Sequence, residues 1–106
     1  MDVRARRAAD NENVFRRINE RVDELSAGYE LPPIVCECAD PGCVERLSVD
    51  RGDYERVRAH PEWFFVAPGH VVADVESVVE EGSGWLVVAK RGEAGDVARD
   101  DDPRSE

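Results

Sequence analysis

Cys36, Cys38 and Cys43 place every thiol of this 106-residue chain inside one short stretch, CECADPGC. Clustered thiolates are soft donors, and zinc takes four Cys or His ligands with Zn–S distances of about 2.3 Å. A disulfide framework fits less well, because an odd number of cysteines leaves a thiol unpaired, and alternating strand residues such as Cys36 and Cys38 are poorly spaced to bridge each other. The fourth ligand must come from outside the cluster, and the chain offers only His60 and His70. His60 ends a helical stretch just before Pro61, whereas His70 follows the Pro68–Gly69 turn and is freer to approach. The expected metal ligands are therefore Cys36, Cys38, Cys43 and His70, and the expected cofactor is Zn2+. Two other readings compete: small buried cysteines packing as hydrophobes, and a redox or nucleophilic thiol, which needs a base and an orienting group that the sequence does not place.

A hairpin positions such a cluster. IVCEC and CVERLSV are rich in strand formers, and ADPG between them supplies turn residues. Residues i and i+2 of a strand share a face, so Cys36 and Cys38 point the same way and the turn folds Cys43 back towards them. Glu37 and Glu45 then point away, onto what reads as a solvated strand face.

Upstream, Phe15, Ile18, Val22 and Leu25 recur at helical spacing, which predicts an amphipathic helix from Asn11 to Ala27, capped by Asn11 or Asn13 and ended by Gly28. Downstream, DRGDYERVRAHP predicts a short helix, WFFVAPGH a buried strand, and DVESVVEE with WLVVAK a second hairpin across Gly82-Ser83-Gly84. Trp63, Phe64 and Phe65 read as core rather than as a base-stacking platform, since a strand sends Phe64 opposite to its neighbours. The expected fold class is α+β: an N-terminal helix, a cysteine hairpin, a short helix and additional antiparallel strands in a single domain over residues 11–91. Residues 1–10, with Arg4, Arg6 and Arg7, read as a disordered basic lead-in, and 92–106 as a disordered acidic tail. Neither end carries the apolar surface expected of a segment that contributes to folding.

Twenty-four acidic side chains against 14 basic ones give a net charge of −10, which repels phosphate backbones and makes nucleic acid an unlikely partner. No run approaches the roughly 18 to 20 apolar residues of a membrane span, and the N-terminus carries no hydrophobic signal stretch, so the expected location is the cytoplasm, with no membrane association. Free thiols suit that reducing compartment. The H-x-E with P-C-x-x-C pattern of zinc deaminases, the H-E-x-x-H helix and glycine-rich phosphate loops are all missing. Arg46, Arg51, Arg56 and Arg58 surround the hairpin in sequence; they suit either an anionic partner or the charge of about −1 of a zinc site with three thiolates.

The segments NENVFRRINERVDEL, CECADPGCVERLSV, DYERVRAHPEWFFVAPGH and WLVVAK resemble a family of small actinobacterial proteins of uncharacterised function. In that family a C-E-C-x4-C motif and a P-G-H motif occur together, and they stand here as Cys36, Glu37, Cys38, Cys43 and Pro68, Gly69, His70. The resemblance implies that the two motifs work together; it supplies no activity. The residues themselves favour a non-enzymatic, zinc-stabilised regulatory or protein-interaction module, with the long helix or the arginine-flanked hairpin binding another protein. The alternative is a small metal- or thiol-dependent enzyme with an open zinc position. A nucleic-acid-associated adaptor is the third.

Overall fold

Asp2 starts the first helix. Its carboxylate accepts the Ala5 N–H at 2.7 Å, satisfying one of the free amides of a helix start, and α1 runs over Val3–Leu25 in the computed structural model, which describes residues 2–104. The stretch expected to be a disordered lead-in is thus helical, apart from Met1, which lies outside the described residues. Ala5, Ala8 and Ala9 explain the difference: alanine is the strongest helix former and packs closely without registering as a large hydrophobe. Asn11, expected as a cap, lies inside the helix and donates to the Cys38 carbonyl at 3.2 Å.

The face that α1 buries is not the expected one. Ile18 and Leu25 are 42% and 70% exposed, whereas Glu12, Asn13, Arg16 and Asn19 are buried. Each of these side chains finds a partner elsewhere in the chain, only Arg16 Nε being left without one among the described residues, which is what allows burial without a large desolvation penalty. Glu12 meets Lys90, Asn13 donates to Asp101 at 3.0 Å, and Asn19 brackets the Val35 peptide, donating to its carbonyl at 2.9 Å and accepting its N–H at 2.8 Å. The Arg16 guanidinium donates to the carbonyls of Pro61 and Ala98 and lies over the Phe64 ring, 4.7 Å from its centroid.

Beyond α1 the elements follow the expected α+β order. β1 (Ile34–Val35) pairs antiparallel with β2 (Arg46–Leu47), and α2 covers Arg51–Arg58. β3 (Trp63–Val66), β4 (Glu76–Glu81) and β5 (Leu86–Lys90) form an antiparallel sheet in the order β3-β5-β4, with Phe64 opposite Val88. The Glu37 N–H donates to the Phe65 carbonyl at 2.7 Å, which fastens the cysteine hairpin to the edge of β3. Ile34, Leu47, Tyr54, Val57, Phe65 and Val87 fill the core between them. Tyr54 stacks on Phe65 at 5.8 Å and Trp85 meets it edge-on at 5.4 Å. Gly82 makes that placement of Trp85 possible, since a Cβ there would lie 2.1 Å from the indole. No helix among the described residues is long and apolar enough to cross a membrane.

The expected acidic tail also carries structure, apart from Ser105 and Glu106, which lie outside the described residues. Gly92–Asp100 forms α3, with Ala94 and Ala98 buried. Arg104 then reaches Glu20 on α1 and Glu55 on α2, each at 2.8 Å. This segment is held by small side chains and hydrogen bonds, so its low hydrophobicity concealed it. Truncation after Arg91 is accordingly expected to destabilise the fold, because it uncovers the alanine contacts and strips Arg16 and Asn13 of partners. A loss of about 2–4 kcal/mol, read as a fall in Tm of about 10 °C or more, is the expected result in a thermal melt.

Candidate metal centre

Two Pro-Gly turns deliver ligands in the same way. In Asp40-Pro41-Gly42-Cys43 the Cys43 N–H donates to the Asp40 carbonyl at 3.1 Å, and the Asp40 carboxylate accepts the Gly42 N–H at 2.9 Å. In Ala67-Pro68-Gly69-His70 the His70 N–H donates to the Ala67 carbonyl at 3.0 Å, with Gly69 at φ +87°. Proline presets the second position of both turns, and the positive φ of Gly69 makes the second a type II turn, a conformation Gly42 does not share. Each turn ends on the residue that faces the cluster. Cys36 and Cys38 lie just past β1, where the Cys36 N–H still pairs with the Glu45 carbonyl at 3.1 Å.

The result is a convergence of four donors: the ligand atoms of Cys36, Cys38, Cys43 and His70 all lie within 4.8 Å of one another. His70 Nδ1 is 3.6 Å from Cys36 Sγ and 3.6 Å from Cys43 Sγ. A tetrahedron with metal–sulfur bonds of about 2.3 Å and metal–nitrogen bonds of about 2.05 Å has an S–N edge of about 3.6 Å. A single ring N–H can aim at only one sulfur, whereas a shared cation accounts for both distances. The Ala67 N–H donates to Cys36 Sγ at 3.1 Å, the kind of outer hydrogen bond that steadies a thiolate ligand. Without a cation, burial pushes the Cys36 thiol well above its ordinary range, and the neighbouring thiols add to that against the opposing Ala67 amide. Burial raises Cys38 as well. A positive ion at the centre reverses this, because coordination deprotonates a thiol outright. His60, the other histidine, stacks on the Trp63 ring at 3.7 Å and takes no part in the cluster.

Nothing matches this chain among protein-family models, curated proteins or solved structures. The joining of the cysteine motif to Pro-Gly-His therefore rests on the distances above.

The residue between the first two ligands corrects an expectation. Glu37 is not on a solvated face; it is fully buried. With Cys36 and Cys38 turned to one side, Glu37 points to the other, into the space covered by α1 and α2. All four of its acceptor positions are filled: Arg58 donates at 2.6 and 3.0 Å, Asn19 at 2.7 Å and the Phe65 N–H at 2.9 Å. Burial by itself would lower the Arg58 guanidinium, but Glu37 outweighs it and holds the group above its ordinary value. This bidentate pair fixes the peptide that carries both cysteines. The strand alternation that aims the cysteines at a metal also aims Glu37 at the core, and only its partners were hidden from sequence.

The arginines grouped around the hairpin in sequence do not act together. Arg58 belongs to Glu37, Arg51 pairs with Asp23 and donates to the Ser26 and Tyr29 carbonyls, and Arg56 pairs with Glu80 and Asp53. Arg46, exposed on β2, makes no ion pair among the described residues.

Proposed function

We propose that this chain is a zinc-stabilised protein-interaction module with no catalytic step of its own. The observation that carries the reading is the set of three thiols and one imidazole nitrogen within 4.8 Å of one another. Three sulfurs and one nitrogen suit zinc, and four protein donors close its shell, leaving no position for a reactive water. Zinc here would tie the β1–β2 hairpin to the turn after β3. Its role would be to supply folding energy.

The recognition surface that best supports the reading is the outward side of α1. With its polar residues turned inward, the helix presents Val14, Ile18 and Leu25 to solvent beside Arg17 and Arg21. On a chain of net charge −10, this apolar line edged by arginines fits a partner protein whose own apolar ridge is edged by carboxylates. Protein purified under reducing conditions without chelator is expected to carry about one zinc per chain. Ile18→Glu, or Arg17→Glu with Arg21→Glu, is expected to abolish partner binding while zinc content and Tm stay near wild type. If cobalt-substituted protein changes its visible spectrum on addition of azide, the metal has an exchangeable position and a metal-dependent catalyst becomes the better reading.

A further inference from the structure

Beside the cysteine hairpin, whose Ala39 lines it, a cavity of about 310 Å³ opens between the N-terminal half of α1, the turn before β4 and the start of α3. Its walls are small and apolar, chiefly Ala5, Ala8, Ala9, Val72, Val75 and Ala94. Its floor is charged, with Glu12 and Lys90 among the lining residues although they are only 3% and 6% exposed.

The hydrogen bonds of that floor are incomplete. Lys90 Nζ donates to Oε2 of both Glu12 and Glu76, and the Val72 N–H donates to Oε1 of Glu76 at 2.6 Å. Both oxygens of Glu76 are therefore engaged, whereas Oε1 of Glu12 has no donor among the described residues. Two carboxylates share one ammonium, so the floor carries a surplus negative charge when both are ionised. Burial pushes the Glu12 carboxyl up to about 7 even with Lys90 opposing it, so the surplus charge is present above neutral pH and is lost as the carboxyl protonates below it. The mouth adds Asp2 and Asp74 against Arg4. An anion entering this cavity would meet uncompensated carboxylate, and a plain hydrocarbon would leave the free oxygen unpaired at a cost.

We propose that this cavity binds a small aliphatic primary amine, with the ammonium donating to Glu12 Oε1 and the hydrocarbon chain against the alanine and valine walls. The size suits a chain of a few carbons, at the low end of small-molecule sites. None of the four ligand residues lines the cavity, although Ala39, next to Cys38, does.

The test is an NMR titration of the full-length protein, as purified, with n-butylammonium, n-butyrate and 1-butanol. Butylammonium is expected to shift the methyl signals of Ala5, Ala8, Ala9 and Ala94 saturably, with Kd of about a millimolar. Butyrate is expected to leave them unmoved, and butanol to bind at least about tenfold more weakly, the difference made by one charge-assisted hydrogen bond. Glu12→Gln should weaken butylammonium by a similar factor. Ala8→Phe, which fills the mouth without altering any charge, should abolish its binding with the amide spectrum otherwise retained, and it decides the matter if Glu12→Gln fails to fold. Absence of methyl shifts, equal binding of butyrate, or shifts that persist in Ala8→Phe would overturn the proposal.

Discussion

Cys38→Ser is expected to lose the metal and most of the protein's stability together. Structural zinc contributes apparent binding free energies of about 10–16 kcal/mol at neutral pH in small domains, comparable with the entire stability of an ordinary domain, about 5–15 kcal/mol. Removing one of four donors forfeits much of that and leaves the buried Cys36 thiol with no cation to hold it as a thiolate. A Tm lower by about 15 °C or more, or no cooperative melt at all, is the expected outcome. His70→Ala should behave alike, and chelation of the wild-type protein should reproduce both. His60→Ala should keep its metal, since His60 only stacks on Trp63. Metal content and thermal unfolding measured on the same samples check this; reduced wild-type protein that carries no metal would refute it.

Glu37→Ala is expected to be nearly as damaging, through the opposite side of the same peptide. It leaves the Arg58 guanidinium, 1% exposed, without its carboxylate, and it deprives Asn19 and the Phe65 N–H of an acceptor. Breaking a buried ion pair by removing one partner costs about 3–5 kcal/mol. The double variant Glu37→Leu with Arg58→Met should recover part of that loss, because it removes both charges and keeps the volume. Urea unfolding of the two proteins gives the comparison, and a loss under about 1 kcal/mol for Glu37→Ala would mean that the pair holds nothing in place.

The parts of this molecule that could be read in its sequence are those governed by local rules. The strands announce themselves as β-branched and aromatic runs, the turns as Pro-Gly pairs, and the cluster as the only thiols in the chain. His70 stood out from His60 because an imidazole on a turn approaches a metal more freely than one at a helix end before proline. What could not be read depends on partners far along the chain. The apolar stripe of α1 suggested its buried side, but Arg16 is buried by carbonyls of Pro61 and Ala98, and Asn19 by the Val35 peptide and Glu37. No periodicity records such contacts. The same holds for α3, whose packing rests on alanines and on the fit of Arg104 between Glu20 and Glu55.

The C-E-C segment has a kinetic consequence. Because Cys36 and Cys38 flank Glu37, the backbone that carries both cysteines cannot move away from the centre unless the bonds of Glu37 to Arg58, Asn19 and the Phe65 amide part as well. Opening of the hairpin from β3 is a sub-global event and rare in a folded domain, so movement at the centre is left to rotation of the ligand side chains. A bound ion would therefore exchange by rotation of its ligand side chains on a backbone that stays in place.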